Sequence, residues 1–82
     1  MHNGNGLEGR LAKLFTDRLN TEVPAADTDL FETGILDSLR FVELLAALEE
    51  TFAVRVSVDE LDIDDFRSVS RIAHFLAAKQ PA

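Results

Sequence analysis

The chain contains no cysteine. That excludes a disulfide framework, a thiolate metal site and a nucleophilic protein thiol. It has no run of 18 apolar residues, so no segment reads as a membrane-spanning helix. Bases are few: 8 Lys and Arg stand against 15 Asp and Glu, a net charge of −7. That balance argues against nucleic acid or an anionic membrane as a partner, and for a basic protein. The opening Met1-His2-Asn3-Gly4-Asn5-Gly6 lacks the apolar stretch of a signal peptide, and the expected location is cytoplasmic. A length of 82 residues suits one domain and excludes a Rossmann enzyme, a barrel or a two-domain catalyst. What is present is a modest apolar content, 46%, with 7% aromatic residues. That fits a small globular core and not a disordered acidic tail.

The charge is unevenly spread. Residues 21–65 hold 13 acids against Arg40 and Arg55, a net −11, whereas the rest of the chain sets six bases against Glu8 and Asp17, a net +4. On charge asymmetry alone the simpler reading is a solvated acidic surface beside mildly basic ends, and the sharper one an acidic docking surface.

Helical periodicity dominates. Residues 1–6 read as a flexible tail. Over 7–20, Leu7, Leu11, Leu14, Phe15 and Leu19 fall on one arc, with Lys13, Thr16 and Asp17 opposite; Asn20 and Thr21 stop the helix and Pro24 forbids its continuation. Residues 21–37 form a long connection. Its Leu30, Phe31, Ile35 and Leu36 would each gain roughly 1.5–3 kcal/mol on burial, so the loop is expected to be pinned to the core, with one helical turn over 29–32 ending at Gly34. A second helix over 39–52 is rich in Leu, Ala and Glu and free of Gly and Pro. Ser38 is its expected N-cap, with the Asp37 charge favourable at the positive end of the helix dipole. Residues 54–58 alternate like a strand, but one strand makes no sheet, and an extended connector is expected, followed by a short helical turn at 59–62. A last helix over 69–78 has Ser68 as cap and Val69, Ile72, Ala73 and Leu76 inward, with Pro81 beyond its end. The expected fold is all-α: a small antiparallel four-helix bundle, three main helices plus a short third one, with a long first loop. Its domain spans 7–78 and 79–82 form a C-terminal end. Met1 and the short Gln80-Pro81-Ala82 end read as a free-standing protein.

The second helix carries two apolar stripes. With Phe41 at the origin, Leu44, Leu45, Leu48 and Phe52 lie within about 60° of it, one core face. Leu39, Val42 and Ala46 fall apart from them, at about 160°, 100° and 140°, bracketed by Glu43, Glu49 and Glu50. Either other helices cover this second strip or a partner docks on it.

Ser38 is the candidate reactive hydroxyl. A serine at a helix start is usually only a cap. Leu36-Asp37-Ser38-Leu39-Arg40 is not a nucleophile elbow, and neither His2 nor His74, off the apolar face of the last helix, supports a triad, so no hydrolase is read. A helix N-terminus does suit a serine that receives a phosphate, since its free N–H groups and dipole stabilise a phosphodiester.

At this point a resemblance applies. Asp29-Leu30-Phe31-Glu32-Thr33-Gly34-Ile35-Leu36-Asp37-Ser38-Leu39, followed by an acidic helix ending Leu48-Glu49-Glu50-Thr51-Phe52, resembles the phosphopantetheine attachment region of acyl carrier proteins, and the likeness extends over roughly 7–78. The resemblance implies a non-catalytic carrier. Ser38 would bear 4′-phosphopantetheine, transferred from coenzyme A by a magnesium-dependent phosphopantetheinyl transferase, and the arm's thiol would hold an acyl or aminoacyl group as a thioester. Asp37 matches the motif acid that helps the transferase place its metal. Leu39, Val42 and Ala46, with Glu43, Glu49 and Glu50, match positions shown to basic patches of partner enzymes. Expected partners are the transferase, an acyl-loading or adenylating ligase and downstream synthase enzymes; the expected state is a monomer. Arg40 departs from the usual polar or acidic residue of fatty-acid carriers and would alter which partner docks. Residues 59–69 look more like discrete carriers of specialised metabolism, or those fed by a separate adenylating ligase, which points away from primary fatty-acid synthesis and toward polyketide, nonribosomal or related biosynthesis. Leu-Asp-Ser is not the serine context typical of peptide-synthetase carriers.

Other signals fail. Gly4-x-Gly6-x-x-Gly9 matches a dinucleotide fingerprint but has no strand before it. Asp62, Asp64 and Asp65 lack the Gly and Glu of an EF-hand, so no dedicated metal site is expected. The alternative to a carrier is an acidic helical adaptor that binds a basic protein without a prosthetic group.

Overall fold

The computed structural model describes residues 4–56, 59 and 61–79. Three α-helices are found among them: α1 (Gly4–Arg18), α2 (Ser38–Phe52) and α3 (Val69–Lys79), with a four-residue 3-10 helix (Ile63–Phe66) before α3. No strand occurs among the described residues. The α-helices among the described residues thus number three and not four; of the short turn expected at 59–62, Asp59 is in 3-10 conformation, Glu60 is not among the described residues, and a further 3-10 helix follows at Ile63–Phe66. Asp62, expected to end that turn, instead caps the 3-10 helix, its carboxylate accepting from the Asp64 N–H at 3.0 Å. Glu60, Ser57 and Val58 lie outside the described residues, as do residues 1–3 and 80–82.

Residues 4–6, read as part of a tail, belong to α1. The glycines there are poor helix formers, and the turns that follow are held down by Leu11, Leu14 and Phe15, all buried. α1 ends at Arg18, two residues before the expected stop. The left-handed Asn20 (φ 58°) then turns the chain so that the Thr21 N–H donates back to the Phe15 carbonyl at 3.1 Å. Asn tolerates this conformation better than other side chains bearing a Cβ.

α1 and α2 run antiparallel. The Arg10 guanidinium lies 4.6 Å over the Phe52 ring at one end, and the Arg40 guanidinium donates to the Leu19 carbonyl at 3.1 Å at the other. α2 buries Leu44, Ala47, Leu48 and Phe52, while Phe41 and Leu45 are only half-buried against the core. The inward face is therefore turned toward Ala47 relative to the expected stripe. α2 ends where Ala53 adopts φ 56°, and residues 53–56 continue without regular structure. α3 buries Val69, Ile72, Ala73 and Leu76 as its spacing requires. Ser68 caps it, its hydroxyl accepting from the Arg71 N–H at 3.2 Å.

The long first loop is pinned as expected. Leu30 and Leu36 are buried, and Phe31 and Ile35 pack against the core. The Leu36 N–H donates to the Leu30 carbonyl at 2.8 Å, closing the loop on itself, and the Leu30 N–H donates to the Arg67 carbonyl at 2.6 Å, tying it to the residue after the 3-10 helix. One helical turn runs through it, Thr33 N–H to Asp29 carbonyl at 3.1 Å, and ends at Gly34 with φ 81°, a left-handed conformation that glycine adopts without a Cβ clash.

Candidate functional site

The site is the junction where this loop becomes α2. Its geometry begins with Asp29, whose carboxylate accepts the N–H groups of Phe31 at 3.0 Å and Glu32 at 2.9 Å and meets the Arg67 guanidinium at 3.5 Å. The Glu32 N–H lowers the Asp29 pKa below its ordinary 3.8; partial burial opposes this, and the Phe31 N–H and Arg67 add to the lowering. The ionised form is therefore the one the folded loop prefers. Its contribution to stability is complete above 3.8 and is lost as pH falls through the lower folded value. A carboxyl titration by NMR with parallel thermal melts checks this. Asp29 should titrate below 3.8 and Asp29→Asn should flatten the acid limb of the stability curve; titration at or above 3.8 would contradict the loop geometry.

Burial of Leu36 fixes the chain so that Asp37, extended at φ −131°, stands at the helix start. Asp37, and not Ser38, is the N-cap. Its carboxylate accepts from the Arg40 N–H at 2.9 Å, and its carbonyl takes the first helical bond, from the Phe41 N–H, at 2.8 Å. Ser38 is the first residue of α2 and is exposed. Among the described residues no group bonds its hydroxyl, and the N–H groups of Ser38 and Leu39 donate to none. These are the orphan donors of a helix N-terminus, an environment that favours a phosphodiester on the adjacent oxygen. The residues present thus fit a phosphate-linked group: a hydroxyl open to solvent, free of capping duty, beside unused N–H donors.

The second stripe is uncovered. Leu39 is 70% and Val42 62% exposed, and Ala46 is exposed with them; no other helix of the described structure packs there. Sequence reasoning missed a third exposed apolar side chain, Ile63, at 54%. It stands on the 3-10 helix whose Phe66 meets Phe41 of α2 edge-on. Its signal was a lone Ile set among Asp62, Asp64 and Asp65.

The glutamates differ in what they already hold. Glu49 accepts the Val56 N–H at 3.1 Å and so braces the exit from α2, and Glu50 pairs with Arg18 of α1 at 2.7 Å. Glu43 is exposed and has no partner among the described residues. Arg40, expected to bear on partner choice, points its guanidinium at the C-terminal end of α1. His74 is exposed on α3, with no interaction linking it to Ser38; His2 lies outside the described residues. No group of three or more His, Cys, Asp or Glu able to hold a metal is found among the described residues, and the Gly4-x-Gly6-x-x-Gly9 pattern lies within α1.

The chain belongs to the phosphopantetheine attachment site family, whose model matches residues 9–76. It is similar to the D-alanyl carrier proteins of Streptococcus pyogenes serotype M5 (strain Manfredo), serotype M49 (strain NZ131) and serotype M1. Each is 40% identical over 78 residues, covering 93% of this chain and 98% of the relative. The protein is a non-catalytic carrier whose cofactor is covalently attached 4′-phosphopantetheine. The family's cofactor removes the reading of an adaptor without a prosthetic group.

Proposed function

We propose that Ser38 bears the 4′-phosphopantetheine and that the protein carries an aminoacyl group of the D-alanyl type to partner enzymes. The observation that carries the attachment is the free, exposed Ser38 hydroxyl at the first position of α2, relieved of capping by Asp37. In the modification, the Ser38 Oγ–P bond would form as the pyrophosphate P–O bond of coenzyme A breaks, with adenosine 3′,5′-bisphosphate as the leaving group. The hydroxyl proton passes to a base of the transferase, because no His, Asp or Glu side chain of the described residues bonds Ser38. When attached, the arm supplies a terminal thiol that holds an acyl group as a thioester. Asp37 is proposed to help the transferase place its metal while it holds the helix start.

The cargo reading rests on relatives named D-alanyl carrier protein that match nearly end to end. It sits with a separate adenylating ligase as the loading partner, a reading that residues 59–69 also allowed, and it is preferred to the polyketide or nonribosomal setting because the similar relatives are D-alanyl carriers. The test is to convert the protein to its phosphopantetheinylated form and supply D-alanine, ATP and the D-alanine-activating ligase of a streptococcal relative. A hydroxylamine-labile D-alanyl adduct should form on the modified protein and not on the unmodified one. Loading of malonyl or another polyketide unit by its cognate loading enzyme, with none of D-alanine, would overturn the cargo reading.

Docking is proposed on Leu39, Val42 and Ala46, with Glu43, Glu49 and Glu50 meeting a basic patch. Because Glu49 and Glu50 are held within the fold and Glu43 is not, Glu43→Lys should act on docking alone. Modification by the transferase should slow by about tenfold at low salt, the lower end of electrostatic steering, with helical content unchanged. The loss should shrink as salt is raised. Equal rates for Glu43→Lys and wild type at low salt would place docking elsewhere.

A further inference from the structure

Ser38 is bracketed by the residues that fix the first turn of α2. Before it, Asp37 closes the turn: its carboxylate takes the Arg40 N–H at 2.9 Å and its carbonyl the Phe41 N–H at 2.8 Å. After it, Leu39 is 70% exposed and ties the turn to nothing. Phe41 sets its ring edge-on against Phe31 and Phe66, which holds one flank to the first loop and the 3-10 helix. Arg40 holds the other flank. Its half-buried side chain crosses to α1, where the guanidinium donates to the Leu19 carbonyl at 3.1 Å. There α1 ends, with the Leu19 and Thr21 N–H groups both falling back on the Phe15 carbonyl at 3.1 Å. Carbonyls at such an end lack intrahelical partners, and a cation beside them also faces the negative end of the helix dipole. One residue thus gives its backbone N–H to the cap of α2 and its side chain to the end of α1.

We propose that Arg40 is a positioning residue for Ser38: through the Leu19 carbonyl it holds the serine-bearing turn in place against α1, so that a docked enzyme meets the hydroxyl already aligned. Arg40 stands about 100–160° around α2 from Leu39, Val42 and Ala46, by the 100° step per residue. It therefore braces the turn from a side that a partner on that strip leaves uncovered, and its charge is turned toward α1 and off the acidic strip. Group transfer is sensitive to such placement, because a shift of about 1 Å can cost roughly 10²-fold in rate. This inference rests on the reading of Ser38 as the attachment residue.

Two variants of the full-length protein test it. Arg40→Met keeps an apolar stem and loses the donors, and Arg40→Lys keeps a charge and a donor on a flexible stem. Amide hydrogen exchange needs no modification and comes first. In Arg40→Met, protection should fall at the Arg40 and Phe41 N–H groups and persist at the buried Leu44 and Leu48. A uniform loss along α2, or none, would overturn the inference. Next, single-turnover modification with coenzyme A, magnesium and excess broad-specificity transferase gives a maximum rate and a half-saturating transferase concentration. The maximum rate should fall about tenfold in Arg40→Met, part of the cost of a misplaced reacting group. Arg40→Lys should recover most of that loss, and half-saturation should stay unchanged in both. A raised half-saturating concentration at an unchanged maximum would make Arg40 a docking contact. No change in either value would leave it a stabilising residue, and a lysine variant as slow as the methionine one would detach the loss from the hydrogen bond; each of these results overturns the inference. No added mass on the wild type would overturn the reading of Ser38 instead, and the exchange data tell that failure from a failure of the tie to α1.

Discussion

Phe66→Ala is expected to lower the thermal midpoint by at least about 12 °C or to abolish cooperative folding. Phe66 is fully buried and touches rings on two other elements. Truncating a buried Phe costs about 3–5 kcal/mol, because transfer energy and an unfilled cavity add. For a domain of 82 residues the whole stability is of order 4–12 kcal/mol, and each kcal/mol moves the midpoint by about 4 °C or more. The effect should be larger than that of Phe31→Ala, whose half-buried ring has one ring neighbour. Circular dichroism melts of both variants measure it. A loss below about 1 kcal/mol for Phe66→Ala, outside the range for buried rings, would show that the 3-10 helix does not anchor the core.

Ser38→Ala should abolish phosphopantetheine addition completely while leaving stability within about 0.5 kcal/mol of wild type, the ordinary range for exposed substitutions. The two halves of this expectation have separate origins. Loss of modification follows because the hydroxyl is the proposed attachment atom. Retained stability follows because Asp37 caps α2 and the Ser38 hydroxyl bonds nothing among the described residues. Were Ser38 the cap, alanine would cost about 0.5–2 kcal/mol. Melting and mass measurements on the one variant therefore test the cap assignment and the attachment independently. Among the described residues the other serines are Ser68, which caps α3, and Ser70, which donates to the Glu8 carboxylate at 3.3 Å, so both of these hydroxyls are engaged within the fold.

Much of this was readable from local pattern. The spacing of Val69, Ile72, Ala73 and Leu76 behind Ser68 identified the buried face and cap of α3. The apolar residues of the first loop were costly to expose, and Leu30 and Leu36 are accordingly buried. The second stripe of α2 stood apart on geometry alone, and Leu39 and Val42 are exposed. What escaped depends on distant partners. Asp37 and Ser38 are both good cap residues, and the choice between them was made by the buried Leu36 and by backbone that holds Asp37 extended. The partners of the acids came from far along the chain: Arg18 for Glu50 and the Val56 N–H for Glu49. No periodicity reports such pairs. The 3-10 helix over Ile63–Phe66 was not foreseen, because Asp62 was one of several acids able to cap and its N–H partner, Asp64, is a further acid with no periodic signal.

Because the chain has no cysteine, a single thiol count reports on the attachment with no background. The decisive measurement is a thiol titration with peptide mass mapping after incubation with coenzyme A, magnesium and a broad-specificity transferase. One new thiol per chain, on the peptide holding Ser38, is the expected result; no thiol, or one that persists in Ser38→Ala, would contradict it.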